Sequence, residues 1–85
     1  MYYVYVIRSE EGYRYIGQTG DLERRLSEHN GGMSHSTKHG KNWEVVHLEE
    51  FGTRKEAMKR ERYLKTSAGR RYLEGLDRGV ESVPR

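Results

Sequence analysis

Eighty-five residues make one domain at most and leave room for one modest core. The chain has no cysteine, which excludes disulfides, cysteine-based zinc sites and thiol nucleophiles. Its 16 Lys and Arg against 13 Asp and Glu give a formal charge of +3, a balance compatible with a polyanionic partner but shared by many small domains that bind no nucleic acid.

Hydrophobic residues make up only 33% of the chain, toward the disorder-prone end, yet seven Tyr, one Trp and one Phe fall in periodic segments and favour a folded domain poor in aliphatics. The N-terminus, MYYVYVIRSE, has no basic stretch leading into an apolar one. No apolar run approaches the ~20 residues that a bilayer span needs. The expectation is a soluble cytoplasmic protein with no membrane partner.

In chain order, Tyr2 to Ser9 is rich in Tyr, Val and Ile and predicts a strand. Glu10, Glu11 and Gly12 make a turn, and Tyr13 to Thr19 a second strand, so the first two strands form a β-hairpin. With a period of two, Tyr3, Tyr5 and Ile7 share one face, and Tyr13, Tyr15 and Gly17 share one face of the partner strand. Asp21 is a helix cap or first-turn acid, followed by Leu22, Arg25, Leu26 and His29 at helical spacing, and Asn30-Gly31-Gly32 ends that helix. A Gly/Ser/His/Lys loop runs from Gly31 to Asn42, and Trp43 to Phe51 predicts a third strand. Thr53-Arg54-Lys55-Glu56 has capping-box form and starts a second helix, with Ala57, Met58, Glu61 and Leu64 on one face. A last helix is expected from Ala68 to about Leu76, giving a domain over 1–76 and a loosely ordered tail over 77–85. The order is β-β-α-β-α-α: an α+β fold with a three-stranded antiparallel sheet flanked by helices.

Four features carry potential chemistry. Glu61 falls on the apolar stripe of its helix, where a carboxylate loses solvation unless it pairs with a neighbouring Arg or binds a metal. Arg25 and His29 share a face at i and i+4, beside leucines that should point to the sheet. They form either a solvated basic face or the rim of a pocket, in which Arg grips phosphate and His transfers a proton. Tyr5 and Tyr15 sit on adjacent strands, as cross-strand stabilisers or as phenols reaching a water or a phosphate. The Gly31–Asn42 loop carries His35, Lys38, His39 and Lys41 and is either a solvated surface loop or a contact, through Lys38 and Lys41, to a nucleic-acid backbone.

Taken together these elements resemble the GIY-YIG endonuclease family, in its small stand-alone bacterial form. Tyr3-Val4-Tyr5 and, after nine residues, Tyr15-Ile16-Gly17 correspond to its two half-motifs. Asp21-Leu22-Glu23-Arg24-Arg25-Leu26-x-x-His29 resembles its first helix, Ala57-x-x-x-Glu61 its metal-binding helix, and Tyr63-Leu64-Lys65-x-x-Ala68-Gly69-Arg70 its small stand-alone members. The resemblance covers Tyr2 to about Leu76.

The resemblance implies that Glu61 is the one direct protein ligand of a divalent cation, magnesium or manganese. It implies that Arg25 stabilises charge on the scissile phosphate and that His29 assists proton transfer. Tyr5 and Tyr15 would position or deprotonate the attacking water, with the choice of base left open. Gly17 would let the substrate backbone approach closely. Tyr3 and Val4 depart from the Gly and Ile of the family name. Gln18 stands where the excision-repair incision domain has Lys, and no Asn follows Asn42 to fill that family's late Asn position.

The expected function is metal-dependent hydrolysis of DNA phosphodiester bonds with low intrinsic sequence specificity, in repair or recombination, alone or with a partner protein or as a homodimer. The alternatives are a non-catalytic nucleic-acid binding module on the same fold and an interaction domain for another protein.

Overall fold

Strand β1 (Tyr2–Arg8) is the centre of the molecule, and its Tyr/Val/Ile run is buried on both faces because both of its edges and both of its faces are covered. In the computed structural model, which describes residues 1–35 and 37–77 apart from the side chains of Leu76 and Asp77, β1 pairs antiparallel with β2 (Arg14–Thr19) on one side. On the other it pairs antiparallel with β3 (Glu44–Phe51), giving the sheet order β2-β1-β3. Helices α1 (Leu22–Asn30), α2 (Arg54–Leu64) and α3 (Ser67–Asp77) complete the expected β-β-α-β-α-α order. The tail expected from Asp77 onward lies outside the described residues, except that Asp77 ends α3.

The period of two in β1 sorts its side chains into two cores. Val4 and Val6 pack with Ala57 and Leu64 of α2 and Leu73 of α3, joined by Tyr2, Ile16 and Phe51. Tyr5 and Ile7 point the other way and pack with Trp43, Tyr15, Val45 and the Leu22 and Leu26 stripe of α1. The sheet is thus the middle of three layers. Edge strand β3 alternates exposed and half-buried positions, and a register shift at Val6/Ile7 marks a bulge in its pairing.

The helix ends follow local chemistry. The Asp21 carboxylate accepts a hydrogen bond from the Arg24 amide at 3.2 Å, and the Thr53 hydroxyl accepts one from the Glu56 amide at 3.2 Å. Glu49 on β3 accepts hydrogen bonds from Arg60 of α2 at 2.7 and 3.0 Å and lies 2.7 Å from His47, which ties α2 to the sheet. Four boundaries differ slightly from expectation: Ser9 lies beyond the end of β1, and three starts shift as well. Tyr13 and Trp43 precede their strands instead of opening them, and Ser67 rather than Ala68 starts α3.

Helix α3 starts two residues after the C-cap of α2 because Gly69 has no side chain. A Cβ there would collide with the Tyr63 carbonyl and the Leu64 Cα. Backbone cannot yield as a side-chain tip can, so Gly69→Ala should cost about 1–3 kcal/mol as overpacking. Urea denaturation of the variant measures this directly. An unchanged midpoint would show that the α2–α3 junction is looser than its geometry implies.

Candidate active site

Tyr5 sits in the middle of β1, and its partner across the hairpin is Gly17, not another tyrosine. Its ring lies over Gly17: a Cβ at that position would stand 2.6 Å from the Tyr5 Oη and 2.8 Å from Cζ. Glycine is therefore required by the close approach of the Tyr5 ring. Tyr15 pairs with Ile7, so the two tyrosines are diagonal on the sheet rather than side by side, with ring centroids 6.2 Å apart.

His29, from the last turn of α1, is fully buried rather than at a pocket rim. Its Nε2 lies 2.9 Å from the Tyr5 Oη and its Nδ1 lies 2.7 Å from the Thr37 hydroxyl. The Tyr15 ring is 4.9 Å from the imidazole, centroid to centroid. Thr37 is itself fully buried in the loop between α1 and β3, and its carbonyl accepts a hydrogen bond from the Trp43 indole at 3.1 Å. Part of the loop expected to be solvated is thus an inner wall of the site.

Burial, and then the adjacent Arg25 charge, hold His29 below the ordinary imidazole range, so it is neutral at pH 7. Burial pushes the Tyr5 phenol up to about 12, with Tyr15 and Glu61 adding to the rise and Arg25 opposing it. A protonated phenol beside a neutral imidazole leaves one proton for each contact of the chain. In the tautomer that carries its proton on Nδ1, Tyr5 donates to Nε2 and Nδ1–H donates to the Thr37 hydroxyl.

Arg25 is half-buried rather than part of a solvated face. It donates to Glu28 at 2.9 Å and to the Ser34 hydroxyl at 3.4 Å. Its charged form is favoured first by Glu28 and further by the nearby phenols of Tyr5 and Tyr15. Arg25 thus stands at the Tyr5–Tyr15 pair from the α1 side of the sheet.

Glu61 comes from the α2 side. Its stripe holds the buried Ala57 and Leu64, whereas Met58, expected on the same face, is exposed. Its carboxylate pairs with Lys65 at 2.7 Å rather than with an Arg, and its side chain keeps 22% of its exposure. The Glu61 charge is the smallest of the influences that raise the Tyr5 phenol. Tyr5 is where the fields of Arg25 and Glu61 meet, although the two residues are not paired with each other.

The donor set of Glu61 suits a hard divalent ion. It is a single, partly exposed carboxylate, and the Lys65 ammonium set against it at 2.7 Å competes with any bound cation. Magnesium and manganese, which take oxygen ligands and keep several waters, are bound by such a carboxylate. Gln18, on the sheet face that holds Val4 and Ile16, buries an amide oxygen with no partner among the described residues.

Lys38 and Lys41 are exposed on the α1–β3 loop and lie outside the buried cluster. Glu28 and Lys65, which fix Arg25 and Glu61, are legible as i+3 and i+4 helical neighbours. Thr37 and Ser34 carry no such signal, because a loop has no period.

The buried neutral imidazole has a consequence for stability. The unfolded chain binds a proton at His29 that the folded chain refuses, so stability is full above about pH 6.5 and falls as pH drops below it. The loss ends once His29 protonates in the folded state. Urea midpoints should therefore be lower near about pH 5.5 than near about pH 7.5. His29→Gln should remove that part of the dependence, and an identical pH profile in the variant would deny the imidazole this role.

Comparison with known proteins identifies the family. A model of the GIY-YIG catalytic domain matches residues 1–73. A UPF0213 protein of Staphylococcus saprophyticus is 33% identical over 79 residues, covering 92% of this chain and 96% of that one. A UPF0213 protein of Halobacterium salinarum is 39% identical over 66 residues, covering 76% of this chain and 86% of that one. The solution NMR structure of a UPF0213 protein from Bacillus halodurans superposes with a TM-score of 0.54 at 29% identity, covering 89% of this chain and 85% of that one. The chain belongs to the GIY-YIG family of nucleases, with the small UPF0213 proteins among its relatives.

Proposed function

We propose that this protein is a divalent-metal-dependent endonuclease that hydrolyses DNA phosphodiester bonds with low intrinsic sequence specificity, acting on the branched or flapped DNA of repair and recombination. The observation that carries this reading is the proton chain from Tyr5 through His29 to Thr37, flanked by Arg25 and Glu61. A binding module has no use for a buried phenol–imidazole pair beside a carboxylate, so the non-catalytic alternative leaves these residues unexplained.

Hydrolysis begins with a water in line with the scissile phosphorus. A phenol pushed up to about 12 is a poor base alone, because at neutral pH it keeps its proton. As a relay it needs no prior ionisation. Tyr5 takes a proton from the attacking water while its own proton passes 2.9 Å to His29 Nε2. The P–O bond to the leaving sugar oxygen breaks as the new P–O bond forms, and solvent protonates the leaving oxygen. Thr37 holds the imidazole with Nε2 free to accept. Tyr15, beside both Tyr5 and His29, positions the water.

Arg25 stabilises the charge that develops on the phosphoryl oxygens, and Glu28 and Ser34 orient its guanidinium for that contact. Glu61 would hold the magnesium or manganese ion, which when bound draws charge from the phosphate and the attacking water. Lys38 and Lys41 add nonspecific contacts to the DNA backbone from the loop.

The test is cleavage of branched, flapped, nicked and linear DNA with magnesium, with manganese and with EDTA. Glu61→Gln, nearly isosteric, should abolish cleavage while the domain stays folded and still binds DNA. Full activity in that variant would overturn the metal-dependent reading. Arg25→Lys loses the planar fork, and a loss of about 3 kcal/mol of transition-state stabilisation lowers the rate about a hundredfold. Unchanged turnover would return Arg25 to a purely structural role with Glu28.

A further inference from the structure

Beside Tyr15 the edge of β2 and the α2–α3 junction enclose an open cleft of about 400 Å³, lined by Arg14, Tyr15, Ile16, Lys65 and Arg70. Among the described residues, three of its five lining side chains are cations and none is an acid. No acidic residue stands in the first turn of α3, where Arg70 lies. Gly69 sets Arg70 against the end of α2, since any side chain at 69 would force the helices apart. Tyr15 belongs both to this cleft and to the cluster around Tyr5 and His29.

Lys65 is the residue the two sites share most directly. Its ammonium pairs with Glu61 at 2.7 Å, yet half of its side chain remains exposed and it lines the cleft. An i,i+4 pair at a helix end is a weak, screened contact that a stronger anion can break. A DNA phosphate in the cleft would be such an anion, held by Arg70 from the facing helix.

We infer that the cleft binds the DNA backbone phosphate next to the scissile one, and that Lys65 exchanges Glu61 for that phosphate when DNA arrives. This rests on the proposed nuclease reading and adds to it a coupling between substrate and ion. In the free protein Lys65 supplies the positive charge against Glu61. With DNA bound, that charge moves to the phosphate and the carboxylate becomes available to the divalent ion. The exchange keeps a weak single-carboxylate ion site from filling before substrate is present. It also accounts for a cation placed against the very residue expected to bind one.

Two measurements on the full chain test the inference without relying on cleavage. Mn²⁺ alone is titrated into the DNA-free protein and read by paramagnetic broadening of amide signals. Lys65→Gln removes the competing charge and should tighten Mn²⁺ binding by up to about fivefold, the range of a half-exposed pair. Arg70→Gln should leave Mn²⁺ binding as it is. In EDTA, binding of a short duplex DNA is then followed over a salt series. Lys65→Gln and Arg70→Gln should each flatten the slope of log affinity against log salt by about one, as for a lost phosphate contact. Lys65→Arg, which keeps the charge, should retain the slope.

Unchanged Mn²⁺ affinity in Lys65→Gln overturns the exchange, and an unchanged salt slope in both Gln variants overturns the phosphate site. Absence of duplex binding by the unsubstituted chain overturns the inference as a whole. Failure of the nuclease reading shows up separately, as absent cleavage by a chain whose Mn²⁺ and DNA binding respond as stated.

Discussion

The hydrogen bond from the Tyr5 phenol to His29 Nε2, with Thr37 behind it, is the constraint on which the rest of the site depends. A phenol, an imidazole and a hydroxyl are all withdrawn from water, and each would be costly to bury unpaired. Pairing them in one line satisfies all three, and the line can form only if β1, α1 and the α1–β3 loop come together at fixed distances. Gly17 makes room for it by leaving the sheet surface flat under the Tyr5 ring. Once α1 is held in this way, Arg25, one turn before His29, is carried to the tyrosine pair.

A three-layer arrangement explains how so short a chain builds both a core and a site. Alternation along β1 sends Val4 and Val6 to one apolar core and Tyr5 and Ile7 to another. Three of the seven residues of the second core, Tyr5, Trp43 and Tyr15, are aromatic, and their rings supply much of its buried surface. This reconciles the low aliphatic content of the chain with a folded domain. Tyr5, which helps fill the α1 side of the sheet, is also the residue proposed to relay a proton.

The charges around Tyr5 are kept apart by local partners. Arg25 is held by Glu28 and Glu61 by Lys65, each through a neighbour three or four residues along the chain. Had Arg25 and Glu61 paired directly, each would have neutralised the other and left nothing to attract a phosphate or a metal ion. Short-range pairs at i+3 and i+4 are weak, so both charges stay available at little energetic cost. The rise in the Tyr5 pKa follows mostly from burial, and the adjacent Arg25 opposes it.

Much of this architecture is local and was therefore legible in the amino-acid sequence. Element order follows from period two in residues 2–8, period 3.6 from Leu22 to His29, and the Asp21 and Thr53 caps, all of which act within a few residues. The spacing of Tyr5, Tyr15, Arg25, His29 and Glu61 pointed to one family because it survives as a pattern along the chain. Other features depend on contacts between residues distant in sequence, and only the tertiary structure decided them. The hairpin register made Tyr5 and Tyr15 diagonal by placing Gly17 opposite Tyr5. Packing of α2 turned Met58 outward and left Glu61 half-buried. Folding of the loop brought Thr37 eight residues back onto His29, a contact without period or propensity to announce it. Residue types and spacings determine which groups are available, whereas burial and distance, set by how the layers close, decide their protonation and their partners.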